Sequence, residues 1–265
     1  MAGSALIYDA VNQIKLVHKA NIDILPVFIG YDSREPEAYE VAKVSLLRHS
    51  TFPLHVQMLD ERALRHAGLY RRKWHTEGTQ KIDNVDGKPF STEFSFTRFL
   101  IPALCQWKGY ALFVDSDWLF RADIKKLVQN IDADMAVNVC KQDYVPKSEV
   151  KMDGQVQQKY FRKNWSSFML FNCEHPTNKM LTVEAVNNEP GSWLHGFGWV
   201  PDNEIGDVDH RWNWIDGTTK GEPLAVHMTT GGPWFKHLRN ATEPYFDEWR
   251  AMARSIGVWR TLEAA

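Results

Sequence analysis

Cysteine is scarce in this chain. Its 265 residues hold three, Cys105, Cys140 and Cys173, far apart and without a C-x-x-C pair. An odd count with no disulfide framework suits a reducing compartment, and each thiol is expected to pack as a small hydrophobe. Long apolar runs are also missing. No window reaches the roughly 18 uninterrupted apolar residues that span a bilayer. The opening Met1-Ala2-Gly3-Ser4 is not the basic, then apolar start of a secretory signal. A cytoplasmic protein with no transmembrane segment is the expectation. Charge of one sign is lacking too. A formal net charge of -2 argues against a surface built to coat nucleic acid, and none is expected as a partner. There is no internal repeat and no low-complexity tract.

What is present reads as an α/β protein. Residues 24–30 form an apolar run ended by Gly30, followed by a polar turn and a helical period over 37–49. Residues 54–59 alternate as a second strand. This strand–turn–helix–strand order opens a Rossmann-like unit. Residues 60–89 are charged and irregular and read as a mobile or inserted segment. Helices are expected at 93–104, 124–129, 177–186 and 243–256, with further strands at 135–139 and 167–172. The Trp-, Gly- and Pro-rich stretch beyond Gly191 reads as loops covering a site. Eleven tryptophans are many for this length. Those at 193, 199, 212, 214 and 234 fall where loops are expected, and each is either a core plug or a platform for a sugar ring or a base. The stripe Leu6, Ile7, Val11, Ile14 and Val17 marks an N-terminal helical segment. It is not notably basic, so docking on the protein's own body is expected, with peripheral membrane contact left open.

The most informative stretch is Tyr110-Ala111-Leu112-Phe113-Val114-Asp115-Ser116-Asp117-Trp118. A buried strand ends in two carboxylates one residue apart, where α/β sheets bind ligands. Buried acids need a compensating cation or strong donors. A divalent metal holding a diphosphate supplies one, since Mg²⁺ and Mn²⁺ favour carboxylates plus phosphate oxygens. Read alone, Asp-Ser-Asp is equally a turn or a helix cap.

The order of these pieces, over residues 24 to about 234, resembles the nucleotide-sugar glycosyltransferases of the GT-A fold, and among them the glycogenin-like and galactosyltransferase enzymes of glycosyltransferase family 8. The resemblance implies a mixed sheet flanked by helices. It implies a catalytic domain over 23–240 after the 1–22 segment, and a C-terminal helix in 241–265 packing on it. It matches Tyr31 and Asp32 to the turn that receives uracil and ribose. Arg98, in Arg98-Phe99-Leu100-Ile101-Pro102, matches the arginine facing the diphosphate, against a bland pairing with Glu93 or Asp123.

The metal ligands implied are Asp115, Asp117 and His227, holding Mn²⁺ or Mg²⁺, with Ser116 beside the nucleotide sugar. His227 opens the segment His227-Met228-Thr229-Thr230-Gly231-Gly232-Pro233-Trp234, in which Gly232 and Trp234 match a loop that closes on the nucleotide. Gly232 stands where the family carries a lysine. Trp165-Ser166-Ser167 replaces Asn-Ala-Gly and is assigned to donor or acceptor sugars. Asp202-Asn203-Glu204 replaces Asp-Gln-Asp, which puts Asp202 and Asn203 near the reacting sugar. The expected activity is transfer of a hexose from a UDP-sugar to a glycan, lipid-linked or small-molecule acceptor, with retention. A sugar nucleotidyltransferase and a non-catalytic carbohydrate-binding module are the alternatives. The turn after residues 24–30 is too poor in glycine and basic residues to favour the nucleotidyltransferase.

Overall fold

The computed structural model describes residues 22–142, 162 and 164–264. The expected N-terminal helical segment therefore lies outside the described residues, Ile22 excepted. Eleven strands and eight α-helices are described. The strands are β1 (Leu25–Gly30), β2 (Leu54–Leu59), β3 (Trp74–Glu77), β4 (Gln80–Asp83), β5 (Pro89–Phe90), β6 (Tyr110–Val114), β7 (Trp118–Phe120), β8 (Val137–Val139), β9 (Phe168–Asn172), β10 (Ile205–Asp207) and β11 (Ala225–His227). The helices are α1 (Pro36–His49), α2 (Glu61–His66), α3 (Ile101–Leu104), α4 (Lys125–Val128), α5 (Val183–Asn188), α6 (Gly191–His195), α7 (Phe246–Ser255) and α8 (Val258–Ala264).

Six strands form one mixed sheet in the order β10-β8-β9-β6-β1-β2. Only β9 runs against the others, pairing antiparallel with β6 and β8. The exit ends of β1, β6, β8 and β10 thus share one edge. The strand alternation divides two cores. Phe28, Ala111, Phe113, Met169 and Phe171 bury on one face. Leu25, Val27, Ile29, Leu112, Val114, Phe168 and Leu170 bury on the other. Strands covered on both faces read as near-continuous apolar runs, which is why β1, β6 and β9 are legible in the sequence. A third apolar cluster joins Ala38 and Val41 of α1 to Phe246, Trp249 and Ala253 of α7 and to Trp259 of α8.

Four readings need correction. Residues 60–89 are not irregular: they hold α2 and an antiparallel three-stranded sheet, β3-β4-β5. The expected helix at 93–104 is a 3-10 turn, Thr97–Leu100, running into the one-turn α3. The expected helix at 177–186 is broken into a 3-10 turn, Pro176–Met180, and α5, with Thr182 capping α5 through the amide of Ala185. The last helix breaks at Gly257, where φ is +82°, and continues as α8.

The small sheet is held by charge more than by apolar periodicity. Arg72 and Asp83 are 2% and 1% exposed, and the guanidinium donates to both carboxylate oxygens at 2.8 and 2.7 Å. Arg72 also donates to the carbonyls of Val186 and Glu189 at 3.1 and 2.7 Å, and lies 4.1 Å from the centre of the Phe96 ring. One side chain thereby ties the insert to the end of α5. Removing it leaves a buried carboxylate unpaired, so Arg72→Ala should destabilise the protein by about 3–5 kcal/mol. Urea unfolding measures this, and a midpoint unchanged from wild type would refute it.

Candidate metal and nucleotide site

The DSD stretch leaves β6 at the shared edge. The amide of Asp115 donates to the carbonyl of Ser167 at 3.1 Å, which sets the first acid against the start of β9. After Asp117 the chain resumes as β7, which pairs antiparallel with β11 so that His227 lies opposite Trp118 and Val226 opposite Leu119. The amide of Met228 then donates to the carbonyl of Asp117 at 2.9 Å. This register carries an imidazole from late in the sequence to the acidic turn. One donor atom each of Asp115, Asp117 and His227 lie within 4.8 Å of one another. His227 Nε2 is 3.2 Å from Asp117 Oδ1. Two carboxylates and an imidazole form a donor set that suits Mn²⁺ or Mg²⁺ together with phosphate oxygens.

Three contacts fix the corner. Trp118, fully buried, stacks on the His227 ring at 5.0 Å and 19°. His227 Nδ1 lies 2.8 Å from Asn213 Oδ1. Arg98, 5% exposed, places Nη1 2.8 Å from Asp115 Oδ1 and donates to the carbonyl of Ser166 at 2.8 Å. Its guanidinium sits 5.2 and 4.8 Å from the rings of Phe94 and Phe113. The Arg98 guanidinium is thus answered by Asp115, not by Glu93 or Asp123.

The turn matched to the nucleotide leaves β1. A Cβ on Gly30 would stand 2.5 Å from the Phe94 ring, so glycine there lets Phe94 pack over the strand end. Tyr31 is half-buried and edge-on to Tyr39 at 5.7 Å. Asp32 is fully buried: Oδ1 accepts from the Arg34 amide and Nε at 3.0 and 2.9 Å, and Oδ2 from Arg34 Nη2 and the Glu93 amide at 2.8 and 3.2 Å. Burial pushes this carboxyl up, but the hydrogen bonds and charge of Arg34 outweigh it and hold it below its ordinary value of 3.8.

Other expected residues divide. Ser116, Ser166 and Ser167 are buried at the site edge. The hydroxyl of Ser166 is 2.9 Å from His195 Nδ1, and that of Ser167 donates to the Asn164 carbonyl at 2.6 Å. Trp165 opens the same turn, with its indole donating to the Gln142 carbonyl at 3.2 Å. Gly232 and Trp234 follow β11. Trp234 is 5% exposed and packs 5.4 Å from Trp249, and a Cβ on Gly232 would lie 2.1 Å from its ring. Trp199, Trp212 and Trp234 are core plugs.

Asp202 and Asn203 are not brought to the donor set. Their 3-10 turn, Asp202–Glu204, enters β10, and the carbonyl of Glu204 accepts from the Ala136 amide at 2.9 Å, just before β8. That is the entry end of both strands, opposite the edge that carries Asp115. Asp202 instead pairs with Arg162, whose guanidinium lies 5.1 Å from the Trp165 ring.

Two features escaped the sequence reading. Asn213 is one, hidden inside Trp212-Asn213-Trp214, which signalled only aromatics. The other is a polar cleft of about 800 Å³ at the exit ends of β8 and β10, lined by Lys141, Gln142, Asp207, Arg211, Thr219 and Lys220 among others.

The six-stranded mixed sheet with an acidic turn beyond β6 defines the GT-A glycosyltransferase fold. The chain superposes on LgtC, a galactosyltransferase solved with donor and acceptor sugar analogs, with a TM-score of 0.53 and 15% identity over 87% of this chain and 96% of that one. An active-site mutant of LgtC gives 0.56 and 16% over the same shares. GlyE, a glycosyltransferase of Streptococcus pneumoniae TIGR4, gives 0.53 and 16% over 88% of this chain, which spans 60% of GlyE. No family model matches the sequence. Protein CDI of Arabidopsis thaliana is 44% identical over 216 residues, 79% of each protein, and the chain belongs to its family.

The Asp32–Arg34 pair yields a signed pH test. A carboxyl held low in the folded state contributes stability above its unfolded value, and that contribution is lost as pH falls through the folded value. Arg34→Gln should therefore unfold more easily than wild type at neutral pH, and the gap should close on acidification below 3.8. Denaturant midpoints across that range measure it; a gap that widens in acid contradicts the assignment.

Proposed function

We propose that the protein is a metal-dependent glycosyltransferase that moves a hexose from a UDP-sugar to a hydroxyl-bearing acceptor. The observation that carries this reading is the convergence of Asp115, Asp117 and His227 at the ligand edge of a GT-A sheet. LgtC, which shares the fold, is named as a galactosyltransferase and was solved in complex with donor and acceptor sugar analogs. Asp115, Asp117 and His227 would hold Mn²⁺ or Mg²⁺, whose charge would offset the negative charge growing on the leaving diphosphate.

The chain's own residues do the positioning. Arg98 fixes the Asp115 carboxylate through a buried ion pair and adds positive charge behind it, so the field is arranged before substrate arrives. Tyr31 and Asp32 sit at the exit of β1, where uracil and ribose would lie, and Arg34 orients the Asp32 carboxylate. Trp165, Ser166 and Ser167 border the sugar side. Gly232 and Trp234 shape the segment after His227. The acceptor is read as a glycan, lipid-linked sugar or small polyol, and the polar cleft at the exit of β8 and β10 suits a hydroxyl-rich one. Retention follows the family 8 pattern: the acceptor hydroxyl attacks on the leaving-group side and the departing phosphate takes its proton. No side-chain base is then required.

A thermal-shift screen of UDP, GDP, CMP and their sugars with Mn²⁺ tests the donor. A ligand at ~100 times its Kd adds about 2.7 kcal/mol to stability, and UDP-sugars should give the largest shift. Asp117→Ala should lose that shift and lower UDP-sugar hydrolysis by on the order of 10²-fold or more. Sugar bound without metal and without turnover would instead make the protein a binding module, and product from UTP plus sugar phosphate would make it a nucleotidyltransferase.

A further inference from the structure

Behind the donor set lies Asn213, fully buried at the end of the 3-10 turn His210–Asn213. Its amide has one orientation that satisfies every neighbour. Ser167 Oγ donates its hydrogen to the Asn164 carbonyl at 2.6 Å, so it can only accept from Asn213, whose Nδ2 lies 3.1 Å away. Nδ2 is also 3.4 Å from that same carbonyl, which only accepts. The amide NH₂ must therefore face Ser167 and Asn164. Oδ1 is left facing His227 Nδ1 at 2.8 Å. An amide oxygen accepts only, so Nδ1 carries a proton and Nε2 is the nitrogen left to face the acids. Nε2 lies 3.2 Å from Asp117 Oδ1, and with Nδ1 protonated it is the nitrogen that would offer a lone pair to a cation held there.

The relay is anchored at both ends. Asn164 takes the left-handed conformation, φ +67°, a region in which asparagine is enriched. The backbone carbonyl of Asn213 accepts from Gln142 Nε2, and Gln142 Oε1 accepts from Thr219 Oγ1 at 2.8 Å. Trp118 stacked on the imidazole opposes a ring flip.

We propose that Asn213 is the positioning residue of the metal site. Through the chain Asn164 carbonyl, Ser167 hydroxyl, Asn213 amide, it fixes the His227 tautomer so that Nε2 is the ligand atom. This rests on the metal reading of Asp115, Asp117 and His227. Histidine ligands depend on the partner of their other nitrogen, and loss of such a partner commonly costs 10–100-fold in metal affinity.

Two substitutions separate this role from simple space filling. Asn213→Leu keeps the branching at Cγ and removes the acceptor. Asn213→Asp keeps an acceptor for Nδ1–H. Mn²⁺ titration followed by electron paramagnetic resonance should show affinity falling about 10–100-fold in Asn213→Leu and staying within a few-fold of wild type in Asn213→Asp. A packing residue predicts the reverse order, and that order overturns the proposal. Mn²⁺ bound equally by wild type and Asn213→Leu sinks the role of Asn213 alone, while a wild type that binds no Mn²⁺ sinks the metal reading with it. Should either variant fail to fold, the wild type still decides: long-range ¹H–¹⁵N spectra of neutral His227 should place the proton on Nδ1, and a proton on Nε2 refutes the assignment.

Discussion

The pairing of β7 with β11 is the constraint on which the site depends. Two short strands set His227 opposite Trp118, and a shift of one residue would turn the imidazole to the other face of the ribbon. The hydrogen bond from Met228 to the Asp117 carbonyl and the bridge between Trp214 and Val226 pin that register from either side. Everything the acidic turn can do together with the imidazole follows from it.

Legibility in the sequence tracks the kind of interaction involved. The central strands were readable because burial on both faces makes them continuous apolar runs, and the DSD turn stood out as charge where the pattern demanded none. His227 was reached through the order of motifs. The insert at residues 60–89 was misread because its order rests on Arg72 and Asp83, and a buried ion pair leaves no periodicity behind. Asn213 was missed for a related reason: its partners lie on three other segments, and nothing in Trp212-Asn213-Trp214 announces them. Asp202 and Asn203, which lie outside the donor set, show a different limit. A three-residue match carries no information on which end of a strand the turn feeds, and here the chain passes straight into β10.

Charge compensation gives the molecule a common design. Asp32, Asp83 and Asp115 are each answered by an arginine, Arg34, Arg72 and Arg98 respectively. These pairs are internal and permanent, because a guanidinium does not deprotonate in a protein. Asp117 faces an imidazole instead. Histidine can offer a lone pair where arginine cannot, and of the three arginine-paired acids only Asp115 lies within reach of that imidazole together with Asp117. Nearness to the imidazole, more than the arginine partner, is what separates the two candidate ligand acids from Asp32 and Asp83 in this chain.

The C-terminal helices belong to the same argument. Trp234 follows His227 by a short loop, and its ring is folded into the cluster of Phe246, Trp249 and Trp259. Gly232 permits this, since any side chain there would collide with the indole. The loop after the histidine is thereby tied to α7, while β11 is tied to β7 and the Asn213 amide to β9 through Ser167. Three independent tethers converge on one imidazole. An imidazole held from three directions loses little further freedom when it takes up a ligand, so the ordering cost of the site is met during folding and not at binding.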